Sequence, residues 1–222
     1  MTRAVIFDMY ETLVTHYQSP LYFGSQMAKD AGIPEARFLE LWNPTGHDRT
    51  IGKMTLEEAL EMILRKNQCY SEKLVKDIVE KRIATKKECF HHLHSEIIPM
   101  LSKLKERGIL IGLISNCFSE EVDVIRQCEL FSYFDAVYLS FEQGTQKPDE
   151  EIYTRCIGEL SVKAAECLYV GDGGSNELEA AKALGMMAVQ ATWYFREEDR
   201  SRLKQDFSQA ERPPDILNYL KD

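Results

Sequence analysis

The stretch VIFDMYETLV, residues 5–14, decides the reading of this chain. Ala4–Phe7 reads as a short buried strand, and it stops at a charge, Asp8. An aspartate there is either a turn residue or one side of a site. The later sequence decides between these. A helix, IPMLSKLKERG, stops at Gly108 and is followed by a strand, ILIGLIS. Then come a helix SEEVDVIRQC capped by Ser119, a strand FDAVYLS, a helix PDEEIYTRCIGEL, a strand CLYVGD, a helix NELEAAKALG and a strand MMAVQAT. ERPPD reads as a turn before a short final helix, DILNYL. Such βαβ alternation predicts a parallel sheet with helices on both faces. Ligands of such sheets bind at the carboxyl ends of the strands. Three strands end there in polar residues: VIFD, GLISN and LYVGD. Asp8 therefore marks a site.

Between the first strand and this α/β run, Pro20 to about Phe90 has a helical pattern throughout. It divides into four helices: LYFGSQMAKDAG, EARFLELW, TLEEALEMILRKNQ capped by Thr55, and SEKLVKDIVEKRIA capped by Ser71. The chain has 222 residues and a net charge of −9. An acidic surface repels nucleic acid and anionic lipid, so neither is expected as a partner, whereas a small anionic substrate can still meet a locally positive site. No apolar run is long enough to span a membrane, and no leader precedes Asp8. The six cysteines form no CxxC pair, which points to free thiols in a reducing cytoplasm.

Four segments in this order resemble the haloacid dehalogenase superfamily of hydrolases. They are Asp8-Met9-Tyr10-Glu11-Thr12, Ser115-Asn116, Lys147-Pro148-Asp149, and Gly171-Asp172 followed by Asn176-Glu177. The resemblance implies a Rossmann-like doubly wound parallel sheet core (residues 1–14 and 91–222) and an inserted α-helical bundle cap (residues 15–90). It also implies Asp8 as the nucleophile of a Mg²⁺-dependent phosphohydrolase, acting on a small phosphorylated metabolite through an aspartyl-phosphate. A carboxylate is ionised at neutral pH and needs no base before it attacks phosphorus. By resemblance, Asp8, the backbone carbonyl of Tyr10 and Asp172 hold Mg²⁺, and Glu177 holds a metal-bound water or orients Lys147; Asn176 is the other candidate beside the metal. Lys147 neutralises Asp8 and the phosphoryl oxygens, and Ser115 binds those oxygens. Asn116 and Arg49 are candidate substrate contacts. Cap closure on hinges near Thr15 and His91 would exclude water.

Two residues depart from the family's pattern. Tyr10 stands where the phosphatases carry an acid/base aspartate, and a phenol titrates near ~10. Tyrosine there is the pattern of the 2-haloacid dehalogenases, so carbon–halide hydrolysis is one alternative and a non-catalytic binding protein on the same scaffold is another. Glu11 replaces the usual glycine. On an extended backbone its side chain points away from the site, toward solvent or into a supporting role. Against a dehalogenase stand the intact Gly171-Asp172 pair and Asn43, which follows Leu41-Trp42 where those enzymes place arginine. His91, His92 and His94 read as a solvated linker, and Cys117 as a buried, inert thiol. ATWYFREEDR is either packing or a dimer contact, and the expected assembly is a monomer or homodimer.

Overall fold

The computed structural model describes residues 1–221. Strands β1 (Ala4–Phe7), β2 (Leu110–Ser115), β3 (Ala136–Leu139), β4 (Cys167–Gly171), β5 (Met187–Ala191) and β6 (Ser208–Ala210) form one sheet in the order β3-β2-β1-β4-β5-β6. Every pairing is parallel, and Ala4–Phe7 runs in register between Leu110–Leu113 and Cys167–Val170. Alternate side chains of β1 enter different cores, because successive residues of a strand face opposite sides of a sheet. Val5 and Phe7 join Met100, Leu101 and Leu104 of α6 (Ile97–Glu106) and Ile125 of α7 (Ser119–Gln127). Ala4 and Ile6 join Tyr153 and Cys156 of α9 (Glu150–Leu160) and Leu178 and Ala181 of α10 (Glu177–Ala183). A strand covered on both faces can be apolar without alternation, which is why AVIF reads as a continuous run. The sheet is the doubly wound α/β core expected from the sequence.

The insert contains α1 (Gly24–Ala31), α2 (Glu35–Trp42), α3 (Gly46–Thr50), α4 (Leu56–Lys66) and α5 (Glu72–Cys89). It buries its own cluster, including Met27, Phe38, Leu56, Leu60, Ile63 and Ile78. Thr55 and Glu58 form a reciprocal capping box at α4, and Ser71 Oγ accepts the Leu74 N–H at α5. The insert meets the core along α5 and α7. Arg82 pairs with Glu120 and Lys86 with Glu121, all four side chains buried. Helix-end contacts add Ser119 Oγ accepting the Leu56 N–H and Ser140 Oγ donating to the Thr50 carbonyl.

Several local expectations are corrected. The insert has five helices, not four: GHDRT forms the additional short helix α3. The cap residue of α7 is Phe118; Ser119 lies inside the helix and turns its hydroxyl to α4. FDAVYLS is strand only over Ala136–Leu139, and its Ser140 opens the short helix α8 (Ser140–Gln143). DILNYL lies in a 3₁₀ segment, Pro213–Tyr219, and β6 was not foreseen. Within ATWYFREEDR, Trp193 Nε1 donates to the Thr12 carbonyl, and Tyr194 OH bridges the Leu13 carbonyl and the His94 N–H, so these two aromatics pack within the chain. No helix among the described residues is long and apolar enough to cross a membrane.

Candidate active site

The sheet brings Asp8, Ser115 and Asp172 to its carboxyl edge, because β1, β2 and β4 are adjacent and end together. Asp8 follows β1 and Asp172 follows β4, while Ser115 is the last residue of β2. Lys147 arrives from the loop before α9, at a cis peptide bond to Pro148. Its Nζ bonds Asp8 Oδ1 and also Glu177 Oε2, the latter at 2.5 Å. Tyr169 OH donates to that same Glu177 oxygen at 2.9 Å, and the Gly173 N–H to the other at 3.2 Å. Glu177 is thus held by three donors and orients Lys147. Asn176, the competing candidate, is exposed. Gly171 makes room for this arrangement: a Cβ there would stand 2.0 Å from Glu177 Oε1.

Ligand atoms of Asp8, Asp172 and Glu177 lie within 4.8 Å of one another. Burial pushes the Asp8 carboxyl well above the usual carboxylate range, and the neighbouring Glu177 and Asp172 add to the push against the pull of Lys147. Burial and Glu177 likewise raise Asp172. Lys147 stays a cation: burial opposes its charge, but Asp8 and Glu177 overcome that. The cluster is short of positive charge, and its all-oxygen donors suit a hard divalent cation such as Mg²⁺. Arg202 meets part of the shortage by bonding Asp172 Oδ2, while the Gly174 N–H holds Oδ1 at 2.8 Å. Sequence reasoning missed Arg202. Its one signal was its place in the segment after β5, beside the strand that carries Asp172.

Ser115 is fully buried, and its hydroxyl has no hydrogen-bond partner among the described residues. An unsatisfied buried hydroxyl costs about 1–3 kcal/mol, and at a site's edge it is ready for a ligand oxygen. Asn116 uses its amide differently from the expected substrate contact. Its Oδ1 accepts the Lys147 N–H at 2.8 Å and its Nδ2 donates to the Lys147 carbonyl at 2.9 Å, which fixes the lysine loop. Thr12 Oγ1 lies 3.4 Å from Asp8 Oδ2.

The two unusual residues are placed plainly. The Tyr10 ring stacks on His16, with centroids 4.5 Å apart. Its hydroxyl is buried without a partner among the described residues. Burial, reinforced by Glu121, drives its pKa still higher, so Tyr10 is no base. Glu11 is not on extended backbone; it sits at φ 60°, and its side chain is mostly buried. It accepts from Thr15 Oγ1 at 2.6 Å and from the His16 N–H at 3.0 Å. Burial works against its charge, yet the bonds from His16 and Thr15 hold its pKa below the ordinary value. Lys86 Nζ lies 2.6 Å from His16 Nε2. An ammonium only donates, which assigns the ring proton to Nδ1, facing Glu11. Burial keeps His16 neutral by lowering its pKa.

The remaining candidates separate. Arg49 is 3 % exposed, on α3 of the insert, and lines a pocket of about 310 Å³ with Tyr10 and Asn116. His91 and His92 are exposed beside Glu88. Cys117 is fully buried, and burial pushes its thiol pKa up.

The model of a family described as haloacid dehalogenase-like hydrolase matches residues 2–185. A phosphorylated carbohydrates phosphatase of Thermotoga maritima is 27 % identical over 99 % of both chains. A glyceraldehyde 3-phosphate phosphatase of Methanopyrus kandleri is 25 % identical, and this chain spans only 57 % of its length. A solved 2-haloacid dehalogenase of Pseudomonas syringae superposes with a TM-score of 0.69, at 20 % identity, over 98 % of this chain and 97 % of that one. That likeness speaks for the fold alone.

Proposed function

The chain belongs to the haloacid dehalogenase-like hydrolases, and from that premise we propose that it is a Mg²⁺-dependent phosphohydrolase of small phosphomonoesters. The observation that carries this reading is the cluster Asp8, Lys147, Asp172 and Glu177, with the unpartnered Ser115 hydroxyl on the next strand end. The full-length likeness to a phosphatase supports it.

An Asp8 carboxylate oxygen attacks phosphorus, the bond to the ester oxygen breaks, and an aspartyl-phosphate forms. Water then cleaves that intermediate and returns Asp8. Lys147 pulls Asp8 toward its ionised form against the raising effect of burial, and a bound divalent cation would complete that shift. Lys147 also faces the phosphoryl charge, Glu177 holds Lys147 in place, and Ser115 donates to a phosphoryl oxygen. Asp8, Asp172 and the Tyr10 backbone carbonyl would hold Mg²⁺, with Glu177 beside it, and the bound ion would supply the positive charge that the transferring group needs. Asn116 positions Lys147, and Arg49 faces the leaving group. Residues 15–90 act as the cap over this edge, with hinges near Thr15 and His91. Tyr10 supplies no acid/base carboxyl, so esters with good leaving groups react fastest.

Tyr10 also favours a second reading, carbon–halide hydrolysis by the same Asp8. The acidic cluster favours phosphoryl transfer, because a phosphoryl group presents anionic oxygens of the kind a hard divalent cation binds, whereas a departing halide is a poor ligand for such an ion. Phosphate release from an aryl phosphate and from small phosphomonoesters, with Mg²⁺ or with chelator, beside Asp8→Asn, tests the first reading. Activity lost on chelation and in Asp8→Asn is the expected result. Halide release from 2-chloropropionate without metal would establish the second instead.

A further inference from the structure

The pocket between insert and sheet edge presents three cations, and two are already engaged. Arg82 donates to Glu120 Oε1 and to the Tyr22 carbonyl, both at 2.6 Å. Lys86 meets Glu121 at 2.5 Å and His16 at 2.6 Å. Arg49 is different. Its Nε donates to Thr45 Oγ1 at 2.9 Å, but its Nη1 is buried with no partner among the described residues. Its guanidinium packs against two aromatic rings, Trp42 at 3.6 Å and Phe118 at 4.5 Å from the ring centroids. Those contacts leave its N–H groups to find partners elsewhere. Burial lowers its pKa to about 10, so it remains charged at neutral pH. Glu120 and Glu121 lie near enough to favour its charge, but they are paired with Arg82 and Lys86. A desolvated cation without a direct ion-pair partner is costly, and a ligand anion that completes the pair offsets that cost.

The shape and charge of the opening narrow that anion. A guanidinium edge matches a planar carboxylate, which it can hold by two parallel bonds. One unengaged cation balances one negative charge; a second phosphate would bring nearly two and face Glu121 across the same pocket. Tyr10 lines this pocket as well, and its buried hydroxyl, without a partner among the described residues, is a further donor that a ligand can engage. The volume, about 310 Å³, is at the small end for ligand sites, roughly 300–1,000 Å³. Resting on the phosphohydrolase reading above, we propose that the substrate is the phosphate monoester of a small hydroxy acid, with Arg49 and Tyr10 binding the carboxylate of the leaving group.

Matched esters test this. Phosphoglycolate and 3-phosphonooxypropionate carry a carboxylate where ethyl and propyl phosphate carry a methyl. The measured quantity is the ratio of kcat/KM between carboxylated and plain esters, with Mg²⁺ present. The expected ratio in the wild type is well above one. A charge-assisted pair is worth about 1.5–3 kcal/mol, so Arg49→Met should lower the ratio roughly 10- to 100-fold. Arg49→Lys should restore part of it, and Tyr10→Phe should lower it severalfold. Calorimetry on Asp8→Asn, which binds without turnover, should show phosphoglycolate bound more tightly than ethyl phosphate. This second measurement needs no Arg49 variant to fold. A ratio near one, equal binding of the two esters, or a ratio unmoved by Arg49→Met overturns the proposal. If no ester is hydrolysed, aryl phosphate included, the phosphohydrolase reading itself fails and this inference falls with it.

Discussion

The carboxyl edge of the sheet and the pocket under the insert treat charge in opposite ways. At the edge, Asp8, Lys147, Glu177, Asp172 and Arg202 each bond another member of the set. In the pocket, Arg82 and Lys86 are bound across the interface while Arg49 and the Tyr10 hydroxyl keep an open position. The first arrangement fixes the geometry of a reaction, since each group is held by its neighbours. The second leaves donors ready for a ligand, and so suits recognition. Ser115 joins the two, being placed by the sheet yet unpartnered.

Lys147→Met strikes the edge hardest. It leaves Asp8 and Glu177 buried without their shared cation, and breaking a buried pair costs about 3–5 kcal/mol. Urea denaturation should show that loss, and phosphate release should fall by roughly 10³-fold or more through lost charge stabilisation. A stable, active variant would mean that the edge is not mutually locked. Lys86→Met tests the interface side, where Glu121 would be stranded. A loss of about 3 kcal/mol is expected, and adding Glu121→Leu should recover much of it, because an apolar replacement of a whole buried pair is often neutral.

Tyr10→Asp has a smaller effect of opposite sign. It places a carboxyl acid at the mouth of the pocket, and turnover of alkyl phosphates should rise about tenfold or more, toward the ~10²–10⁴ that acid–base help supplies. An unchanged rate would break the assignment of Tyr10 as the missing acid. The smallest effect is a pH dependence. His16 is held neutral in the fold, below its ordinary value of 6.5. The unfolded chain therefore takes up this proton first, and the His16 contribution to stability falls as pH drops below that value, opposite in sign to that of the raised Asp8. Glu11, also lowered, adds a second loss below its ordinary 4.5. His16→Gln should flatten the upper part of that profile in thermal melts taken across the range.

What the sequence made legible follows from distance along the chain. Asp8, Ser115 and Asp172 each lie at the end of an apolar run, and a parallel sheet aligns such ends, so strand patterning alone brought them together. Lys147 and Glu177 followed from the order of motifs. Arg202 is 30 residues from Asp172, and Lys86 is 70 from His16; no local pattern records such pairings. Arg82 and Lys86 read as polar positions of a helix, and only the docking of α5 on α7 shows that they are buried. Glu11 was misplaced because its left-handed backbone breaks the extended geometry assumed for it. β6 escaped because three residues, only one of them buried, carry too little apolar signal.

The fit of Gly171 against Glu177 also orders the changes this site can accept during evolution. A methyl group at residue 171 would overlap the glutamate oxygen at 2.0 Å, while the glutamate anchors the lysine. Shortening or removing the side chain at 177 first removes the worst overlap for an alanine at 171, leaving the tighter-than-usual 3.1 Å approach to Tyr169 Cε1. The reverse order passes through a clash. Once both have changed, regaining the glutamate requires the glycine to return beforehand. The two positions form a ratchet, and a lineage that abandons this chemistry through them recovers it only by retracing the steps in sequence.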